Sequence, residues 1–268
     1  YYMRALNGLQ LSDYDGWESV DDYMRGLDGT TCQNAITHLP YAHLRTMAMG
    51  WGRAVPDDVQ MGEIVAGVER GMSEGAVGLS TGLDYIAECF STTDELVEAC
   101  AAMAPQQGLY VTHVRYKKGT LEAVKEAVEI GQRADVPVHI SHFKGTTPQQ
   151  IDELLSYVDS VAVNEVDFSF DVYPYLPGST MLNYMLPYEV WEDGPLGVIS
   201  KLTDPAVRSR FARVIDRYEV DLDHIYIAWL PGWENARFIG QALGSYVKET
   251  GKAPVDALCD LLIDENLA

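Results

Sequence analysis

From about residue 57 onwards, segments with apolar positions every three to four residues alternate with short segments that are continuously apolar or alternate in period two. Met61, Ile64, Val65, Val68 and Met72 fall on one helical face, behind Pro56 and Asp57, which suit a helix start. A strand over Val77 to Ser80 follows, inside "GAVGLSTGLDY". Thr92 and Glu95 then form a capping-box pattern ahead of Leu96, Cys100 and Met103. The cycle repeats with a strand from Leu109 to Val114, a helix from Leu121 to Ile130 with Leu121, Val124 and Val128 on one face, a strand from Val136 to Phe143, and a helix from Ile151 to Val158. In "VDFSFDVYPY", Phe168, Phe170 and Val172 alternate with Asp167, Ser169 and Asp171, and Pro174 closes the run. Further strand candidates are "NAITHL" (34–39), "TMAMGW" (46–51) and "HIYIAWL" (224–230). The Pro-, Gly- and Asp-rich stretch 175–224 reads as a long βα insertion.

Strand onsets near 77, 109, 136 and 166 lie about 30 residues apart, the length of a βα unit. Such units build a parallel sheet, either closed as a (β/α)8 TIM barrel or open and doubly wound. No G-x-G-x-x-G turn or Walker loop follows any of these strands, which favours the barrel over a nucleotide-binding sheet. Nothing in 1–268 reads as a linker, so a single domain is expected.

Composition narrows the function. With 47% hydrophobic residues in 268, the chain can bury a large core. No apolar run reaches the roughly 18 residues of a membrane span, and "YYMRALNGLQ" does not have the order of a signal peptide. Cys32, Cys89, Cys100 and Cys259 form no Cys-x-x-Cys pair, which fits a reducing, cytoplasmic setting. The net charge of -21, from 40 acidic against 19 basic residues, argues against nucleic acid and anionic membranes as partners.

The candidate chemistry sits at strand ends, where barrel enzymes place their sites. "VTHVR" and "SHFK" each carry a histidine late in a predicted strand and a cation two positions on: His113 with Arg115, and His142 with Lys144. Neutral imidazoles from neighbouring strands suit one zinc ion. Strand alternation would put each cation on the face of its histidine, where it would favour an anionic substrate. His139, three positions before His142, should face the other way and be structural. His38, His43 and His224 have no comparable context.

Four motifs in order, "EGAVGLSTGLDY", "YVTHVR", "VPVHISHFK" and "DVYPYLPGSTML", resemble the N-acyl-D-amino-acid deacylases of the amidohydrolase superfamily. Weaker similarity extends through "LRTMAMG", "LTDPAVRSRF" and "PVDALCDLLIDE". The resemblance implies a metal-dependent hydrolase barrel in which His113 and His142 are zinc ligands from strands five and six. It also implies that Tyr85, Arg115, Lys144, Tyr173 and Ser179 contact the substrate, an N-acyl-D-amino acid. Zinc would polarise the scissile amide and activate water. Related cyclic amides and D-dipeptides are alternative substrates.

The chain departs from the family at recognisable points. It has no His-x-His pair and no Gly-rich setting around Cys32. The family's catalytic acid/base aspartate strand does not arrive before "DLLIDENLA", and Tyr85 is followed by Ile-Ala-Glu where the family usually has Pro-Pro-Gly. The expectation is an incomplete, central portion of the barrel without its first and last strands. Either missing segments or a second chain would complete it, and a non-catalytic fragment is the alternative.

Overall fold

The computed structural model describes residues 16–217 and 220–267. They fall into two compact units, one spanning Gly16–Leu176 and the other running from Pro177.

The first unit is a five-stranded, all-parallel sheet with β1 Leu39–Pro40, β2 Gly78–Gly82, β3 Leu109–His113, β4 Val138–Ile140 and β5 Phe168–Phe170, in the order 1-2-3-4-5. Its helices are α1 Val20–Leu27, α2 Tyr41–Met49, α3 Asp58–Ser73, α4 Thr93–Ala101, α5 Thr120–Ala134 and α6 Pro148–Tyr157, the last continuing through a π turn to Ala162. Strictly sequential parallel strands keep adding units in one direction, as in a barrel, whereas a doubly wound sheet reverses at a switch point.

The two faces of the sheet differ. Register places Leu39, Leu79, Tyr110 and Val138 side by side on one face, and all four are buried. Each is a large apolar side chain whose burial contributes about 1.5–3 kcal/mol. The next row on that face continues with Thr81, Thr112 and Ile140, also buried. The opposite face carries Ser80, Val111, His139 and Ser169, small or polar and partly exposed. Gly78 permits the close approach of β2 to β3, since a Cβ there would stand 2.0 Å from the Leu109 carbonyl oxygen.

Helix starts follow the predicted signals. Asp57 caps α3 in a full capping box with Gln60, and Thr92 Oγ1 accepts from Glu95 N–H at 3.1 Å to cap α4. The Glu95 carboxylate turns inward, accepting from Arg45 Nε at 2.8 Å and from the Tyr41 hydroxyl. Arg45 and Glu95 form a fully buried ion pair, with the rest of the guanidinium donating to the Gly52 and Ala54 carbonyls at 3.1 and 2.8 Å.

Three strand expectations change. "TMAMGW" is the end of α2, because Tyr41, Leu44, Arg45 and Ala48 recur at helical spacing and face inward, leaving Met47 exposed. "NAITHL" enters the ladder only at Leu39, with the Thr37 carbonyl accepting from Val77 N–H at 3.0 Å just before it. The run 136–143 keeps three ladder residues, with Pro137 unable to donate and the chain turning at Ser141.

In the second unit, "HIYIAWL" forms no strand. Tyr226 makes a single antiparallel bridge to Ala242, because the facing segment 239–242 is a turn that runs straight into a helix. The stretch 175–224 is helical in part, with 3-10 turns at Leu182–Met185 and Tyr188–Trp191, then α7 Gly194–Lys201 and α8 Pro205–Arg217. α9 Leu243–Thr250 and α10 Pro254–Asp264 complete this unit. Arg208 on α8 bridges to Asp256 and Asp260 on α10 at 2.9 and 2.5 Å.

Candidate functional site

β3 ends at His113, and β2 ends beside it, with Leu83 N–H donating to the His113 carbonyl at 2.9 Å. His142 lies two residues beyond the end of β4 with a φ of 41°, a left-handed conformation uncommon for a residue with a Cβ. Asp171 holds that turn: its Oδ1 accepts the His142 backbone N–H at 2.7 Å, and its Oδ2 lies 3.0 Å from His139 Nε2. His139 Nδ1 is 2.9 Å from Ser169 Oγ, so its ring is tied to β5.

The two histidines meet. His113 Nδ1 lies 3.0 Å from His142 Nε2, with ring centroids 4.8 Å apart and planes nearly perpendicular. Each ring turns its other nitrogen outward. His113 Nε2 is 3.2 Å from Asp84 Oδ2, and His142 Nδ1 is 3.5 Å from the Tyr116 hydroxyl, which also donates to the His142 carbonyl at 3.2 Å. Tyr116 stands edge-on to His113 at 5.1 Å, and Tyr85 is tilted against it at 4.9 Å. Burial, followed by the charges of His113 and Lys144, pushes the His142 pKa down to about 4, so its ring is neutral at pH 7.

The two cations part company. Lys144 Nζ sits over the Tyr116 ring, 4.7 Å from its centroid, with burial lowering its pKa while Asp84 opposes the shift. Arg115 is only 2% exposed. Its Nε donates to both Glu126 oxygens at 3.1 and 2.9 Å, Nη1 donates to the Cys89 carbonyl at 2.9 Å, and Nη2 donates to the Ser91 carbonyl. The expected substrate contact by Arg115 is therefore corrected: its guanidinium is committed to the protein. The alternation argument fails at this residue because β3 has already ended at His113, and Arg115 begins a 3-10 turn.

Tyr173 is 39% exposed and, with His142, Phe143, Lys144, Leu155 and Phe170, lines an open cleft of about 500 Å³. Ser179 is exposed and lies in the second unit. Of the remaining histidines, His43 and His224 are exposed, and none of His38, His43 and His224 joins the pair. Among the described residues, no group of three or more His, Cys, Asp or Glu is arranged to hold a metal ion. Two imidazoles nevertheless suit one: ligands of a tetrahedral zinc at about 2.0–2.1 Å stand roughly 3.3 Å apart, close to the spacing here.

Asp84, Tyr116 and Asp171 were not anticipated. Asp84 stands directly before Tyr85 in "GLDY", and Asp171 is a polar position of the alternating "DFSFDV", so both had local signals. Tyr116 had none beyond its nearness to "THVR".

No protein-family model matches the sequence. A D-aminoacylase of Alcaligenes xylosoxydans xylosoxydans is 32% identical over 182 residues, covering 65% of this chain and 37% of the relative. This chain is similar to the D-aminoacylases over about a third of their length. An N-acyl-D-glutamate deacylase of the same organism is 29% identical over 153 residues, covering 56% of this chain and 31% of that protein. A D-aminoacylase crystal structure described as defining a novel subset of amidohydrolases superposes with a TM-score of 0.71 at 25% identity, covering 91% of this chain and 45% of that one. The N-acyl-D-glutamate deacylase of Bordetella bronchiseptica, solved with zinc and a phosphonate inhibitor, shares the fold, with a TM-score of 0.73 at 22% identity over 97% of this chain and 48% of that one. The strand order and these likenesses bear out an amidohydrolase-type α/β barrel, present here in part. The chain spans about a third of the length of the curated relatives it matches and under half of the solved ones.

Proposed function

We propose that this chain carries part of the active site of a zinc-dependent amidohydrolase that cleaves N-acyl-D-amino acids to the D-amino acid and a carboxylate. The observation that carries the reading is the pair of nitrogens, His113 Nδ1 and His142 Nε2, facing each other at 3.0 Å at the ends of adjacent strands. Zinc, when bound, supplies polarisation of the amide carbonyl and activation of water. The pair would hold the ion, and Asp171 holds His142 in place from its backbone while Tyr116 meets both its carbonyl and its far ring edge. Lys144, at the mouth of the cleft with Tyr173, orients the substrate carboxylate. Tyr85, tilted against the His113 ring at 4.9 Å, keeps the substrate contact implied by the resemblance. Ser179 keeps the substrate role implied by the resemblance, and Arg115 instead braces the segment 83–91. Both units are read as portions of one barrel domain, with 175–224 as its insertion.

Two imidazoles leave a tetrahedral ion short of ligands, so the remaining donors and the acid/base group are assigned to residues outside this pair. That ligand count also favours a second reading, in which another segment or chain must complete the site before it turns over. Four free cysteines support a reducing, cytoplasmic setting, and no described helix is long and apolar enough to cross a membrane.

The test is hydrolysis of N-acetyl-D- and N-acetyl-L-amino acids by the full-length protein before and after chelation. Activity confined to the D series, lost on chelation and restored by zinc is expected. Chelator-insensitive activity, or activity on the L series alone, contradicts the reading.

A further inference from the structure

A neutral imidazole has one N–H and one lone pair on opposite edges of its ring, so a histidine presents a lone pair to a cation only if something fixes the proton on the other edge. At His113 that something is Asp84. Its carboxylate oxygen Oδ2 lies 3.2 Å from Nε2, and a carboxylate can only accept, so the hydrogen bond requires Nε2–H and leaves Nδ1 as a lone pair. That lone pair is the one directed at His142, 3.0 Å away.

Asp84 is itself well held. Its side chain is 0% exposed against 12% for His113, its Oδ1 accepts the Lys117 backbone N–H at 3.4 Å, and the Leu83 N–H to His113 carbonyl bond ties its loop to the end of β3. It stands on the far edge of the ring from the gap between the histidines, so it does not reach a cation held there. This placement distinguishes a residue acting through His113 from a third ligand.

We infer that Asp84 is a positioning residue that fixes His113 in the Nε2–H form, so that Nδ1 faces His142 ready to bind zinc. The zinc half of this statement rests on the function proposed above; the tautomer half does not. His142 has a weaker counterpart, since its outward nitrogen meets a tyrosine hydroxyl at 3.5 Å instead of a buried carboxylate. The assignment is therefore made for His113 alone.

The experiment is 15N-detected imidazole NMR of the zinc-free protein, wild type and Asp84→Asn, with zinc affinity measured by calorimetry on the same samples. The substitution keeps the size of the side chain, and with the Lys117 N–H holding the amide oxygen at the Oδ1 position its NH2 faces Nε2, which drives the proton to Nδ1. The expected result is an Nε2–H pattern for His113 in the wild type, an Nδ1–H pattern in the variant, and a 10- to 100-fold weaker zinc affinity. An unchanged tautomer in the variant, or a changed tautomer with unchanged zinc affinity, overturns the inference. If the tautomer changes and the wild type binds no zinc, the positioning by Asp84 stands and the zinc function falls. Should Asp84→Asn fail to fold, the wild-type spectrum decides alone, and an Nδ1–H pattern for His113 overturns the inference.

Discussion

The ends of β3 and β4 carry the same sequence signature, a histidine with a cation two positions on, and resolve it in different ways. At the end of β3 the histidine closes the ladder and the cation, Arg115, dives beneath it to tie five groups of the protein together. At the end of β4 the ladder stops at Ile140, the histidine sits in a left-handed turn held by Asp171, and Lys144 emerges over Tyr116 at the cleft. The chemistry of the two cations explains the difference. A guanidinium offers five donors in a planar fork and can be fully satisfied inside, whereas an ammonium is strongly hydrated and stays near water.

The largest expected effect separates the two cations by stability. Arg115→Ala leaves several buried carbonyls unpaired and the partly buried Glu126 with the Thr93 hydroxyl in place of its cation, and should cost about 3–5 kcal/mol in denaturant unfolding. Arg115→Lys should not restore it, for lack of the fork. An Arg115→Ala protein of wild-type stability would remove the distinction drawn here.

Lys144→Ala should do the reverse. Stability should stay within about 0.5 kcal/mol, while loss of one charge-assisted contact of about 1.5–3 kcal/mol raises KM for N-acyl-D-amino acids about 10- to 100-fold. Steady-state kinetics beside a melting curve checks both halves, and unchanged KM would deny Lys144 its place at the carboxylate.

A smaller effect is electrostatic. The His142 pKa is depressed to about 4 in the folded protein, with Lys144 among the causes. The unfolded chain takes up that proton first, so stability from this residue is full above about pH 6.5 and falls as pH drops towards about 4. Lys144→Met should move the His142 pKa upward and soften the acid loss in zinc-free protein, while Arg115, paired with Glu126, is not among the causes of that shift. NMR titration of His142 reads the shift directly, and a downward movement in Lys144→Met would reverse the sign argued here.

The same comparison shows what the sequence made legible. Period and caps located α3, α4 and α5 and strands β2 and β3 to within a few residues, because Asp57, Thr92 and the Ile64 to Met72 stripe act locally. The histidine pair was legible as two strand ends. The fate of Arg115 was not, since it depends on Glu126, Cys89 and Ser91, which arrive from other segments. The face of His139 was misjudged for a related reason. It shares the face of β3 Val111, and hence of His113, because His142 had already left the strand from which alternation was counted. "TMAMGW" read as strand because its apolar run is short, and only the burial of Tyr41 and Arg45 four positions apart decides for helix.

The central claim is that His113 Nδ1 and His142 Nε2 share one zinc ion. An anomalous-difference map at the zinc edge, from crystals of the zinc-loaded protein, tests it most directly. The account predicts a peak about 2.0–2.1 Å from both nitrogens, on the side of His113 away from Asp84; a peak on the Asp84 side of the ring, or zinc bound anywhere but at this pair, would contradict it.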